Sequence, residues 1–331
     1  MPCLCVGAGG PRFWVEPDKG PAPFMAVENK QSRTKADWIV DRIGRTVIGG
    51  LLLLPHPARV AAMGWIARNI VGPLTGYTRR ARQNLAYIWP DMPVSERRRI
   101  ARKVLDNAGR VIIENYASTD QLKRAANWNT HGPGLEQAQH ALAEGRPILF
   151  VSGHFGNYQA ARAAMNVRGF CLGGLYRPLN NAYFNDHYVR TVEAVGGPAF
   201  ARGRRGLASF MRHVKQGGHG ALLIDQYYGD GVVVDFLGKP APTALSVGEI
   251  ALKFNALVLP IYARRLENGL DFDVLVEAPV PHSDATSMTQ ALMDSLGAQV
   301  RERPGQWFWV HRRWKPDRQA ERAARSAAEQ Q

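Results

Sequence analysis

Cysteine is scarce in this sequence: three in 331 residues, two of them (Cys3 and Cys5) at the extreme N-terminus. That number and placement exclude a disulfide framework and a paired-ligand zinc pattern, and a reducing compartment is the simplest reading. Long apolar runs are missing as well. A membrane-spanning helix needs roughly 18 uninterrupted apolar residues, whereas the best run, Val47 to Leu54, is bounded by Arg45 and by Pro55 and Pro57. Residues 1–24 are interrupted by Pro, Gly, Glu and Asp and have no apolar stretch after a basic start, so they do not read as a secretory signal. Met25 is a candidate natural start, with 1–30 read as a disordered tail or a start site placed too early.

Acidic residues are the under-represented charge, 28 Asp+Glu against 42 Lys+Arg, for a formal net charge of +14. Such a balance calls for acidic partners: nucleic acid, anionic lipid or an acidic carrier protein. The basic residues fall into short groups (Arg79, Arg80 and Arg82; Arg97 to Arg99 with Arg102 and Lys103; Arg202, Arg204 and Arg205; Arg312, Arg313 and Lys315), each of which taken singly reads as a solvated helix face. Zinc-finger spacing, a dominant basic helix and a nucleic-acid recognition signature are all missing, which argues against nucleic acid. None of the nine histidines forms a His-Glu-x-x-His pair, so neither a metal nor another cofactor is expected. Without a Gly-x-Ser-x-Gly elbow, a covalent acyl-serine intermediate is not expected either.

What the chain does have is 45% hydrophobic residues arranged in two periods. Ile39, Ile43, Val47 and Leu51 recur every four positions beside a parallel row of Asp37, Asp41 and Arg45, which predicts one amphipathic helix over 37–54. A second helix is expected over 58–71, where Trp65, with Trp38 of the first, suits an interfacial depth; capping a soluble core and lying on a membrane are equally open for the pair. Residues 79–127 read as helices broken at Pro90 and Pro93, with Ser95 capping a helix that begins at Glu96.

From Arg146 the period changes. Pro147 to Val151 has the continuous apolar character of a fully buried strand and leads through Ser152, Gly153 and His154 into an Ala-rich helix. Gly220 to Ile224 and Leu257 to Tyr262 repeat the buried-strand pattern around a helix over 244–254 capped by Thr243, and Asn268-Gly269 marks a hairpin between 259–266 and 270–277. A last helix is expected over 286–303. The fold class is therefore α/β: a mostly parallel twisted sheet covered by helices, preceded by a helical region that associates with a membrane. The expected divisions are 1–30, a helical region over 31–130, the α/β domain over 131–316 and a charged tail over 317–331.

A histidine between a buried strand and a helix start sits where open sheets place their ligands and where helix N–H groups favour negative charge. His154 is so placed, and suits a general base on a hydroxyl in acyl transfer. Four ordered segments then carry a resemblance: Ser-Gly-His-Phe-Gly-Asn-Tyr at 152–158; Leu175 to Asn181; Asp225-Gln226 with Phe236 to Thr243; and Gln306 to Lys315. Together they resemble the lauroyl/myristoyl acyltransferases of lipid A biosynthesis, within the lysophospholipid acyltransferase superfamily.

The resemblance implies that His154 is the base, oriented by an acidic residue five positions later. Here that position holds Gln159, which can fix the tautomer of the ring but cannot supply a negative charge to an imidazolium. Three outcomes stay open: a slow enzyme, a substitute carboxylate (Asp186, Asp225 or Glu249), or a lipid binder without catalysis. Arg177 is expected to clamp a phosphate, with Asn180 and Asn181 as polar lining and Arg202, Arg204 and Arg205 as a phosphate-binding loop; Asp225 faces the cleft or caps its strand. Trp307, Phe308, Trp309 and Trp314 beside His311, Arg312, Arg313 and Lys315 read either as an interface or as core. The family further implies acyl carrier protein as donor, a lipid A precursor or other anionic lipid as acceptor, and the cytoplasmic face of a bacterial inner membrane.

Overall fold

Thr34 starts the first helix: its Oγ1 accepts from the Asp37 N–H at 3.1 Å while the Asp37 carboxylate accepts from the Thr34 N–H at 2.8 Å, a reciprocal cap. The computed structural model describes residues 32–315, so Cys3, Cys5, Met25 and the segments at 1–30 and 317–331 lie outside the described residues. Helix α1 spans Lys35–Leu52. The four-residue period is there, but the apolar row faces out: Ile39, Ile43 and Val47 are exposed, and the polar row faces the protein, with Asp41 fully buried and holding Arg45 at 2.8 Å.

Helix α2 (His56–Ile66) is shorter than its apolar pattern and runs into a π-helical turn, Ala67–Val71, then the short α3 (Gly72–Leu74). Val60 is buried, and Arg59 turns inward to pair with Asp120. Helices α4 (Tyr77–Ile88) and α5 (Val94–Asn115) follow, and α5 starts one residue after Pro93, leaving Ser95 inside the first turn rather than at the cap. Next come α6 (Ser118–Ala125), β1 (Thr130–His131), α7 (Gly134–Ala143), β2 (Ile148–Ser152), α8 (Tyr158–Asn166), β3 (Leu172–Tyr176), α9 (Ala182–Ala194), β4 (Ala199–Ala201), α10 (Arg204–Lys215) and β5 (His219–Leu223). A hairpin of β6 (Val232–Phe236) and β7 (Lys239–Thr243) leads to α11 (Ser246–Phe254), β8 (Leu257–Arg265), β9 (Phe272–Val276) and α12 (Ala285–Glu302).

Seven strands form one sheet in the order β1-β9-β8-β2-β5-β3-β4, parallel except where β8 meets β9. The expected mostly parallel, helix-covered α/β fold is the observed one. β2 lies between β8 and β5 and is buried along its whole length, which is why it reads as an unbroken apolar run. Its alternate residues feed two cores: Phe150 packs with Ala160, Ala164 and Phe170 under α8, and Leu149 and Val151 pack with Phe210, Val247 and Leu296 under α10 to α12.

Thr243 ends β7 with its hydroxyl on the Ala241 carbonyl, so α11 begins three residues later than its expected cap. In the same hairpin Pro240 and Pro242 are tolerated because β7 pairs only with β6, through a tight turn in which Leu237 and Gly238 both have positive φ. Among the described residues no helix is long and apolar enough to cross a membrane.

Candidate active site

β2 ends at Ser152, and the next turn carries His154 out of the sheet before Asn157 caps α8 by accepting from the N–H groups of Gln159 and Ala160. Glycines make this turn possible. A Cβ on Gly153 would sit 2.7 Å from Leu296 and 3.0 Å from Asp225 Oδ2, and one on Gly156 (φ +55°) would sit 1.8 Å from the Ala263 carbonyl. The turn is also held from outside: Gly156 N–H donates to Gln306 O at 2.9 Å, Phe308 N–H to His154 O at 2.9 Å, and Asn107 Nδ2 to Gly156 O at 2.8 Å.

Asp225 lies two residues past the end of β5, with no exposed surface. Its Oδ1 is 2.8 Å from His154 Nδ1, and its Oδ2 accepts from the His154 N–H at 2.7 Å and from Trp307 Nε1–H at 2.8 Å. Burial alone would raise its pKa. The His154 charge, the His154 hydrogen bonds and the charge of His311 outweigh burial and hold the carboxyl well below the usual carboxylate range. An ionised carboxylate only accepts, so Nδ1 carries the proton and Nε2 keeps the lone pair a base needs.

Position 159 does not provide the partner. Gln159 is buried in the second position of α8, where its Oε1 accepts from Arg162 at 2.8 Å, while Nδ1 of His154 is taken by Asp225. The expected orienting contact of Gln159 is thus corrected: of the three carboxylates held open, Asp225 meets the ring, and Asp186 and Glu249 lie exposed on α9 and α11.

A cavity of about 600 Å³ opens beside His154 at the carboxyl ends of the strands. Arg177, Asn180, Arg202 and Arg204 line it, together with Gln159, while Asn181 and Arg205 do not. Asn181 is committed elsewhere: its Oδ1 caps α9 by accepting from Phe184 N–H, and its Nδ2 donates to Asp37 O, tying α1 down. Arg205 points outward from α10. Arg202 lies over the Tyr228 ring at 5.6 Å, and Arg177 donates to Asn180 at 3.4 Å.

The aromatic segment is core rather than interface. Trp307, Trp309 and Trp314 are buried; Trp309 Nε1–H is satisfied by Pro304 O, and Arg313 is enclosed with its guanidinium on Pro242 O and Thr243 Oγ1. Sequence reasoning did not foresee that Trp307 would hold Asp225, nor that His311 would pack at right angles to His154 with ring centroids 4.5 Å apart. Both sit in the segment 306–315, whose resemblance was visible but whose pairing to the His154 turn was not.

His311 gives the fold an acid sensitivity. Burial, then the charges of His154 and Arg313, push it down to about 3, and burial with the charge of His213 pushes His219 down to about 4. In the unfolded chain both titrate near 6.5, so below that pH the unfolded state binds more protons and stability falls with pH. The melting temperature should be level above pH 7 and drop steadily between pH 6.5 and 4. Asp225 adds to the loss only below the ordinary carboxylate range. A melting temperature unchanged from pH 7.5 to 5 would show that these imidazoles are not buried neutral.

The family of bacterial lipid A biosynthesis acyltransferases matches residues 26–316. A lipid A biosynthesis acyltransferase of Haemophilus influenzae is 24% identical over 234 residues, 70% of this chain and 73% of that one. A lipid A biosynthesis lauroyltransferase of Escherichia coli is 27% identical over 242 residues, 70% and 77% respectively. A phosphatidylinositol mannoside acyltransferase of Mycolicibacterium smegmatis is 30% identical over a shorter 95 residues, 29% of this chain and 31% of that one.

Proposed function

Because the chain belongs to the family of bacterial lipid A biosynthesis acyltransferases, we propose that it moves a fatty acyl chain from acyl carrier protein to a hydroxyl of a lipid A precursor. The observation that carries this reading is the His154–Asp225 pair at the rim of the cavity. His154 Nε2 takes the proton of the acceptor hydroxyl as its oxygen attacks the thioester carbonyl. The tetrahedral intermediate then expels the thiolate, which takes the proton back from the imidazolium, and no acyl-enzyme forms. Asp225 stabilises the imidazolium in between, and its depth within the protein leaves no water to compete for that role.

Arg177, Arg202 and Arg204 at the cavity are placed to hold phosphates of the acceptor or of the donor's pantetheine arm. On α10 the exposed Arg205, Arg212 and Lys215 share one face that begins beside that mouth at Arg205 and runs away from it, a basic surface that suits an acidic carrier protein. The outward row of α1 continues into Leu53, Trp65 and Leu74, with Leu53 and Leu74 88% and 82% exposed. Apolar side chains so fully exposed mark an interaction surface, and with Trp38 and Trp65 they suit the headgroup depth of the inner membrane, entered from the cytoplasmic face. The competing reading, a lipid binder without catalysis, drew its support from Gln159 as the partner of His154, and Asp225 removes that support.

Single-turnover transfer of a labelled acyl chain from acyl carrier protein to a tetra-acylated lipid A precursor in vesicles tests the proposal. Wild type should form the acylated product, and His154→Ala should slow it by roughly 10²–10⁴. Folded wild type that transfers to no lipid acceptor would restore the binding-only reading.

A further inference from the structure

β3 carries two consecutive glycines, and they are not equivalent. A Cβ on Gly173 would meet His213 at 2.9 Å and Phe200 at 3.0 Å, so packing beneath α10 demands its absence. A Cβ on Gly174 would have only ordinary neighbours, Ala221 O at 3.8 Å and Arg162 Cζ at 4.0 Å, and its φ lies outside the left-handed region. Neither backbone nor packing asks for glycine there. Glycine inside a strand nonetheless costs about 0.5–1 kcal/mol relative to alanine, and the close approach of a ligand is one of the reasons a strand keeps such a residue.

Strand register says how deep that place is. Paired residues of neighbouring strands share a face, so Ser152 and Leu223 form one layer beside His154, and Phe150, Ala221 and Gly174 form the next. The second layer lies about 7 Å further from the strand ends, at roughly 3.3 Å per residue. All five residues line the cavity, and Leu172, one layer deeper still, lines it too.

Phe150, Ala161, Leu172 and Val192 contribute hydrocarbon to the cavity wall, and Arg162, whose Cζ faces Gly174, has its terminal nitrogens engaged by Gln159 Oε1 and by the carbonyls of Val192, Leu172 and Gly196. Its Nε–H is enclosed and has no hydrogen-bond partner among the described residues.

We infer that the lobe of the cavity at Gly174 receives the far end of the donor's acyl chain and that Gly174 is a specificity-determining residue, setting the longest chain the enzyme accepts. The inference rests on the acyl-transfer reading and names the substrate subsite within it. The test is the series Gly174→Ala, Gly174→Val and Gly174→Leu, assayed with acyl carrier protein charged with decanoyl, lauroyl, myristoyl and palmitoyl chains against one acceptor. For the longest chain wild type uses, kcat/KM should fall roughly tenfold or more relative to the shortest, stepwise with side-chain size, while the shortest chain transfers as in wild type. Melting temperatures equal to or above wild type would show that the fold is intact.

An unchanged length preference in a folded Gly174→Leu variant overturns the inference, and so does a shift that follows the acceptor's chain length instead of the donor's. If wild type transfers nothing, the acyl-transfer reading has failed separately. Binding of the free saturated fatty acids, decanoate to palmitate, to wild type and Gly174→Val by calorimetry then decides the lobe alone: loss of only the longer acids supports it, and equal binding of all overturns it.

Discussion

Asp225→Asn should yield a folded protein whose acyl transfer is slower by roughly 10⁴, the size of effect that the same carboxylate-to-amide change has in a serine-protease triad. The asparagine oxygen must take the place of Oδ2, because two donors, the His154 N–H and Trp307 Nε1–H, converge there. The amide nitrogen is then left facing His154 Nδ1. Two donors cannot face each other, so the ring is driven to carry its proton on Nε2, and the lone pair that should take the hydroxyl proton is lost. Gln159→Glu is the control: its side chain faces Arg162, so it should leave transfer close to wild type and should not rescue Asp225→Asn. Single-turnover rates at saturating donor, with circular dichroism to confirm folding, read both. A rescue would place the negative charge at position 159 after all. Because the Asp225 carboxyl is held far below the usual range, its ionisation should leave no mark on the rate profile near neutral pH.

How much of this was legible in the sequence depends on how far apart the partners lie. His154 stood out because strand, glycine and helix cap are consecutive, and local chemistry announces a strand-end turn. Its partner is 71 positions away, and only the adjacency of β2 and β5 brings Asp225 to it. The resemblance pointed to position 159 by spacing, but spacing says nothing of which way a side chain turns once Asn157 has capped the helix. Periodicity found α1 yet could not tell which row faces the protein, since two rows four residues apart look alike until α9 is docked on one of them through Asn181 and Tyr183. β3 and β7 escaped because Gly173-Gly174 and Pro240 to Pro242 are poor strand formers, kept in place by a tight packing contact, an open cavity and an unpaired edge. The tryptophan-rich segment beside arginines read equally as interface or core because charge flanks it, and the choice is made by Arg313, which is buried as a structural clamp on the hairpin.

Glu114→Ala should destabilise the protein by about 3–5 kcal/mol, the cost of leaving a buried charge without its partner. Glu114 and Arg265 are 4% and 7% exposed and meet through two parallel bonds, Arg265 Nη1 to Oε1 at 2.5 Å and Nη2 to Oε2 at 2.7 Å. The same Oε2 accepts from Asn157 Nδ2 at 2.7 Å, and Arg265 Nε donates to Asn107 Oδ1 at 2.7 Å. Removing Glu114 therefore strands a guanidinium and frees the residue that caps α8, whereas losing an exposed pair such as Glu96–Arg99 should have little effect on stability. Urea unfolding measures both. Arg265→Met alone should be comparably damaging, and the double variant should cost well below the sum, because no unpaired charge then remains buried. Strict additivity would mean that the two residues do not act as one unit. Asn157 and Asn107 are the hands that this pair lays on the His154 turn, so variants that survive should also lose acyl transfer by more than their unfolded fraction explains, with loss in kcat rather than KM. The ion pair and the base are thus two ends of one rigid assembly, α5 and β8 holding from behind the turn that Asp225 and Trp307 hold from the front.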